Sequence, residues 1–161
     1  MTNQSSKKPF DRYVFKALTQ KASFPWIRDL SCDWLIIAGS VAAAITWNNP
    51  LGYVLLVFVL GNRQHALAIL GHDGTHFTLS RSKRFNDTVT NLFAFWPLGL
   101  TTSGYRNLHF AHHRHTNTEQ DPELMHRSSK APQWDLPITV GKVLSYAARD
   151  MAGYSLSDYV M

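Results

Sequence analysis

Two long apolar stretches separated by three residues set the terms for this chain. Leu30–Trp47 is apolar apart from Ser31, Asp33, Ser40 and Thr46, and Leu51–Gly71 follows it across Asn48-Asn49-Pro50. As helices they would extend about 27 Å and about 31 Å, close to the roughly 30 Å hydrocarbon thickness of a bilayer. Proline cannot continue a helix and asparagine favours turns, so the tripeptide breaks the run into a hairpin. The competing arrangement is a buried hairpin in a soluble protein. It would take most of a 161-residue chain to cover two helices that are apolar around most of their circumference. The expected fold class is therefore an all-α membrane protein, a transmembrane helical hairpin with cytoplasmic or interfacial helices attached.

Charge fits that picture. Charged residues make up 17% of the chain, against roughly 25% in soluble domains. The single cysteine, Cys32, excludes a disulfide-stapled secreted fold. Lys7, Lys8, Arg12, Lys16, Lys21 and Arg28 precede the first stretch, none lies in the turn, and Arg63, Arg81, Lys83 and Arg84 come after it. By the positive-inside rule this multi-pass hairpin has both termini in the cytoplasm. The 29-residue basic lead and the immediate second stretch argue against a cleaved signal peptide. Arg81-Ser82-Lys83-Arg84 reads as a cytoplasmic flank rather than a nucleic-acid patch.

The chain divides into a basic arm (1–29), the hairpin (30–71), a histidine-rich region (72–126) and a weakly amphipathic tail (127–161), within one domain. In the arm, Phe10, Tyr13, Val14, Phe15 and Leu18 fall near helical spacing, giving either a short surface helix or a frayed end. Leu92–Leu100 is too short to span and suits the interface, with Trp96 at headgroup level.

Six of the eight histidines lie between positions 72 and 115. They form His72-Asp73-Gly74-Thr75-His76 and His109-Phe110-Ala111-His112-His113, with His115 two residues on. On a helix, His72 and His76 share a face one turn apart, and His109, His112 and His113 fall within about a 100° arc. Convergent neutral imidazoles suit iron, zinc, copper or nickel. His65 reads as a packed or hydrogen-bonded core residue and His126 as a surface one. His115 points away from its neighbours if the helix continues. A zinc protease of the H-E-x-x-H type needs a glutamate where this chain has the shorter Asp73. A ferritin-like di-iron bundle needs four glutamates, whereas only Glu119 and Glu123 are present. A histidine-dominated site at a membrane surface, able to carry a redox metal, is what remains.

The pairing of HDGTH with HFAHH, followed by Thr116-Asn117 and Asp121-Pro122, resembles the first two histidine boxes of the membrane fatty acid desaturase superfamily, which includes carotenoid hydroxylases and ketolases. The resemblance covers roughly residues 30–125. It implies an all-α membrane bundle whose di-iron centre is held on the cytoplasmic side by His72, His76, His109, His112 and His113. It also implies O2-dependent removal of hydrogens from an acyl lipid, with electrons from an external partner protein. Asp121 matches the acid of the D-P element and would orient a ligand imidazole, or simply form the turn before Pro122; Asp73 could act similarly. The family's third box and second helix pair have no counterpart after His126. The expectation is therefore a fragment, or a chain completed by another chain or by self-association, and inactive alone. A lipid or carotenoid hydroxylase or ketolase, or a non-catalytic metal-binding membrane protein, is the alternative.

Overall fold

A computed structural model describes residues 13–14, 23–124 and 137–154. Among the described residues all regular structure is helical. The order is α1 (Ser23–Trp47), α2 (Pro50–Thr75), α3 (Lys83–Thr90), a wide π-type turn (Asn91–Phe95) running into a 3-10 turn (Trp96–Leu98), α4 (Thr102–His115) and α5 (Val140–Met151). The surface helix expected around residues 10–18 lies outside the described residues except for Tyr13 and Val14, which are helical; His126 also lies outside them. The chain forms two compact units, 1–105 and 106–161.

The first unit is built on the hairpin. α1 starts at Ser23, earlier than the apolar run, because tertiary contacts hold its first turns. Pro25 is tolerated there, the Trp26 indole N–H donates to Leu70 O at 3.0 Å, and Ser23 Oγ donates to Leu79 O at 2.5 Å. The turn follows the expected chemistry. Asn48 takes φ 43°, Asn49 caps α2 by accepting from Leu51 N at 2.9 Å, and Pro50 occupies the first helical turn. α2 then runs on to Thr75 and so carries His72 on its last turn.

Both helices are long and apolar enough to cross a membrane, and only 17% of the most apolar window of each is buried inside the protein. Leu35, Val57 and Phe58 are among the large side chains left exposed. The described residues thus leave most of this apolar surface uncovered, and a surface this apolar suits lipid rather than water.

The core sits at the histidine end of the hairpin. Trp26, Leu30, Leu67, Leu70, Leu79 and Ala94 form it, with Trp34, Ile37, Val89 and Leu98 packed against them. The Leu92–Leu100 segment divides its residues between two environments. Ala94 and Phe95 are core, while Leu92, Phe93 and Trp96 are exposed. Its backbone is tied to α1 by the Trp34 indole, which donates to Phe93 O at 2.9 Å. Close approach to α2 depends on two glycines: a methyl group at Gly71 would run into the Phe95 ring, and one at Gly74 into Thr90. In the second unit, α5 is capped by Thr139, whose side chain accepts from Lys142 N. Val140, Val143, Leu144 and Met151 share one exposed face of that helix.

Candidate metal centre

The first histidine pair stands where α2 ends. His72 lies within the helix and His76 at its cap, with ring centroids 5.0 Å apart at 62°. The helical spacing read from the sequence therefore survives to the last residue. Several contacts hold this end in place. Asn86, fully buried, donates to Gly74 O at 2.8 Å, Thr78 Oγ1 bonds Asp73 O at 2.8 Å, and Tyr105 lies edge-on to His72 with centroids 6.4 Å apart. Asp73 Oδ1 is 3.2 Å from His72 Nδ1, so Asp73 reaches the His72 imidazole.

α4 carries the second group. Its first turn is fixed by Asn91, whose Oδ1 accepts from both the backbone N–H and the hydroxyl of Thr102 at 2.8 Å. The wide turn that begins at Asn91 is what lets the side chain reach this far. Further along, His109 is buried, and its Nε2 lies 2.9 Å from Nε2 of His113 one turn on. His112 faces the Asp121 turn, with Nδ1 2.8 Å from Asp121 Oδ1.

Asp121 builds the turn before Pro122 and contacts His112. Only 2% exposed, it accepts at Oδ2 from Asn117 N at 2.9 Å and at Oδ1 from Glu123 N at 3.0 Å, which builds the turn. Its Oδ1 also meets His112 Nδ1 at 2.8 Å. Burial alone would raise its pKa; the His112 side chain and backbone N–H groups of Asn117, Glu123 and Leu124 outweigh burial and lower it to about 2. Asp121 is thus an anion at neutral pH. A neutral imidazole that donates Nδ1–H to such an anion has its lone pair on Nε2.

A profile of the fatty acid desaturase family matches residues 45–154. The chain belongs to the fatty acid desaturase family. Dihydrorhizobitoxine desaturase of Bradyrhizobium elkanii is 33% identical over 94 residues, which is 57% of this chain and 26% of that protein. The sn-1 acyl-lipid omega-3 desaturase (ferredoxin) of Nostoc sp. (strain 36) is 27% identical over 124 residues, 77% of this chain and 33% of that protein. The Delta(8)-fatty-acid desaturase of Borago officinalis is 27% identical over 147 residues, 89% of this chain and 32% of its own length. This desaturase-family chain thus spans about a quarter to a third of the length of these relatives. No solved structure matches it.

The donor set fits a metal. Two nitrogens bound at about 2.1 Å to one octahedral ion, at right angles, are about 3.0 Å apart, close to the His109–His113 separation. The same distance also suits an N–H···N hydrogen bond in the metal-free protein. Glu123 is the residue that sequence reasoning missed. Its carboxylate lies 3.7 Å from His109 Nδ1 and 3.9 Å from His112 Nδ1. Its one signal in the sequence is its position two residues after Asp121.

His65 corrects an expectation. It is exposed rather than packed, because Arg63, Leu67 and Leu70 occupy the α2 face that meets α1 and leave His65 on the opposite side. His115 ends α4, with its carbonyl bonded to Thr118 N at 2.9 Å.

Proposed function

We propose that this desaturase-family chain supplies the first two histidine boxes of an O2-dependent acyl-lipid desaturase, with His72, His76, His109, His112 and His113 as ligands to two irons. The observation that carries the reading is the His112–Asp121 pair, in which a buried carboxylate holds one ring nitrogen so that the other is presented as a ligand. Bound iron would supply the two-electron chemistry by which O2, two external electrons and two protons convert –CH2–CH2– to –CH=CH– with release of two water molecules. The chain's own part is to orient its imidazoles: Asp121 keeps the proton of His112 on Nδ1, and Asp73 stands in the same relation to His72. The hairpin enters from the cytoplasmic side, exposes only its Asn48-Asn49-Pro50 turn opposite, and brings the boxes back to the cytoplasmic surface. An electron-transfer protein would approach there, ferredoxin being the donor named for the Nostoc relative, and an acyl lipid would enter from the bilayer.

Five imidazoles are too few for two six-coordinate irons with positions open to O2. Even with the Glu123 carboxylate beside His109 and His112, a full set of protein ligands would need additional polypeptide or a second copy. We therefore expect residues 1–161 alone to hold iron weakly and to be inactive. In detergent, with iron under reducing conditions, electrons, O2 and mixed acyl lipids, the chain should form no double bonds above a His112→Ala control; new double bonds would overturn the incompleteness. Weak iron retention should fall with His112→Ala and stay unchanged with His65→Ala and His126→Ala. Equal loss from all three would refute the metal reading.

A further inference from the structure

One ion pair in the first unit takes no part in the site above. Asp33, 5% exposed within the apolar run of α1, has its Oδ1 2.6 Å from Nη1 of Arg63 on α2. Asn62 Oδ1 accepts from Nε and Nη2 of the same guanidinium, so Arg63 is held from two sides. Charges within apolar helix pairs are costly and tend to mark a function. Such a pair is weak evidence for stability, because well-packed apolar residues often serve as well; its best-attested use is to fix register.

Register needs fixing here. α2 is apolar nearly all round, with Leu51, Val54, Leu55, Val57 and Phe58 exposed, so no apolar stripe dictates which face meets α1. A slide of one turn would keep the same face of α2 toward α1. The polar ties tell the two arrangements apart. Asp33 lies seven residues after Trp26, and Arg63 lies seven before Leu70, whose carbonyl accepts from the Trp26 indole at 3.0 Å. Seven residues are close to two turns, so both ties fall on one seam of an antiparallel pair. Seven residues further on are Ser40 and Leu56, which line one small cavity near the turn. The next step reaches Trp47 and Asn49, which flank the turn itself.

We infer that the Asp33–Arg63 ion pair, with the Trp26–Leu70 tie, locks the register of the hairpin, and that Asp33 and Arg63 are thereby positioning residues for His72 and His76. His72 lies two residues beyond Leu70 on the same helix. A one-turn slip would displace it by about 5.4 Å, against a tolerance of about 0.2 Å in a metal–ligand distance. The consequence for the metal rests on the function proposed above; the register lock does not.

Cross-linking tests the two separately. The full chain in lipid vesicles, with Cys32→Ser, carries Ser40→Cys paired either with Leu56→Cys, in register, or with Leu60→Cys, one turn out. Oxidation should join positions 40 and 56 and leave 40 and 60 apart. Adding Arg63→Met should lower the ratio of in-register to shifted product at least about tenfold and alter the visible bands of bound cobalt(II). Should that variant fail to insert, Asp33→Asn, which keeps the shape and loses the charge, takes its place. The exchange Asp33→Arg with Arg63→Asp should restore both the ratio and the spectrum. An in-register product unchanged by loss of the charge, or no rescue by the exchange, overturns the lock. The expected cross-links with no cobalt spectrum in any variant would sustain the lock and sink the metal reading.

Discussion

Replacing Gly71 by alanine should destabilise the protein even though alanine is the better helix former. Gly61, on the same helix, supplies the reference: a methyl group there meets nothing within 4 Å, so Gly61→Ala should gain the intrinsic propensity difference of about 1 kcal/mol. At Gly71 the same gain applies, but the new methyl group lands on the Phe95 ring. Phe95 is 1% exposed, so overpacking should cost about 1–3 kcal/mol. The two variants should then differ by that overpacking term. For a chain of this size a difference of about 2 kcal/mol corresponds to melting temperatures about 4–8 °C apart. Thermal unfolding in detergent, followed by tryptophan fluorescence, measures it, and Phe95→Leu in the Gly71→Ala background should recover part of the loss. Gly71→Ala melting at or above Gly61→Ala would refute the close packing of α2 on the π-type turn.

Two further outcomes follow from the same structure. With Cys32→Ser as background, Asn49→Cys should be labelled by an impermeant thiol reagent only from the non-cytoplasmic side; labelling from the cytoplasmic side alone would reverse the topology. Asp121 has a folded-state pKa of about 2 against an ordinary 3.8, so the native state favours its anion. The stabilisation from its contacts is complete above the ordinary value and is lost as the pH falls toward 2. The infrared carboxylate band that disappears in Asp121→Asn should titrate well below 3.8, and a midpoint at or above that value would contradict the His112 contact.

Much of the hairpin and of the site was legible in the residues. Apolar length located α1 and α2, Asn-Asn-Pro located the turn, and the spacing of the two histidine groups survived as helical geometry because both lie on or at the end of a helix. What escaped depends on contacts between elements. Charged Arg28 and Asp29 hid the first turns of α1, which are held by the Trp26 and Ser23 bonds to distant carbonyls. Asp33 read as an interruption and Arg63 as a flank; only the register of two antiparallel helices makes them partners. Residues 92–100 have uniform hydropathy yet divide between core and surface, because the wide turn points Phe95 at Gly71 and leaves Trp96 out. Glu123 joins the histidines through the fold of the Asp121 turn, which no helical spacing anticipates.

Cobalt(II) titration of the full chain in detergent tests most directly the proposal that the two histidine groups serve one metal centre. If the claim holds, His76→Ala and His113→Ala should each abolish the entire visible ligand-field spectrum of bound cobalt, since a shared centre fails when either group loses a ligand. Each substitution removing only part of the spectrum, with the two parts adding to the whole, would mean separate sites and contradict the account.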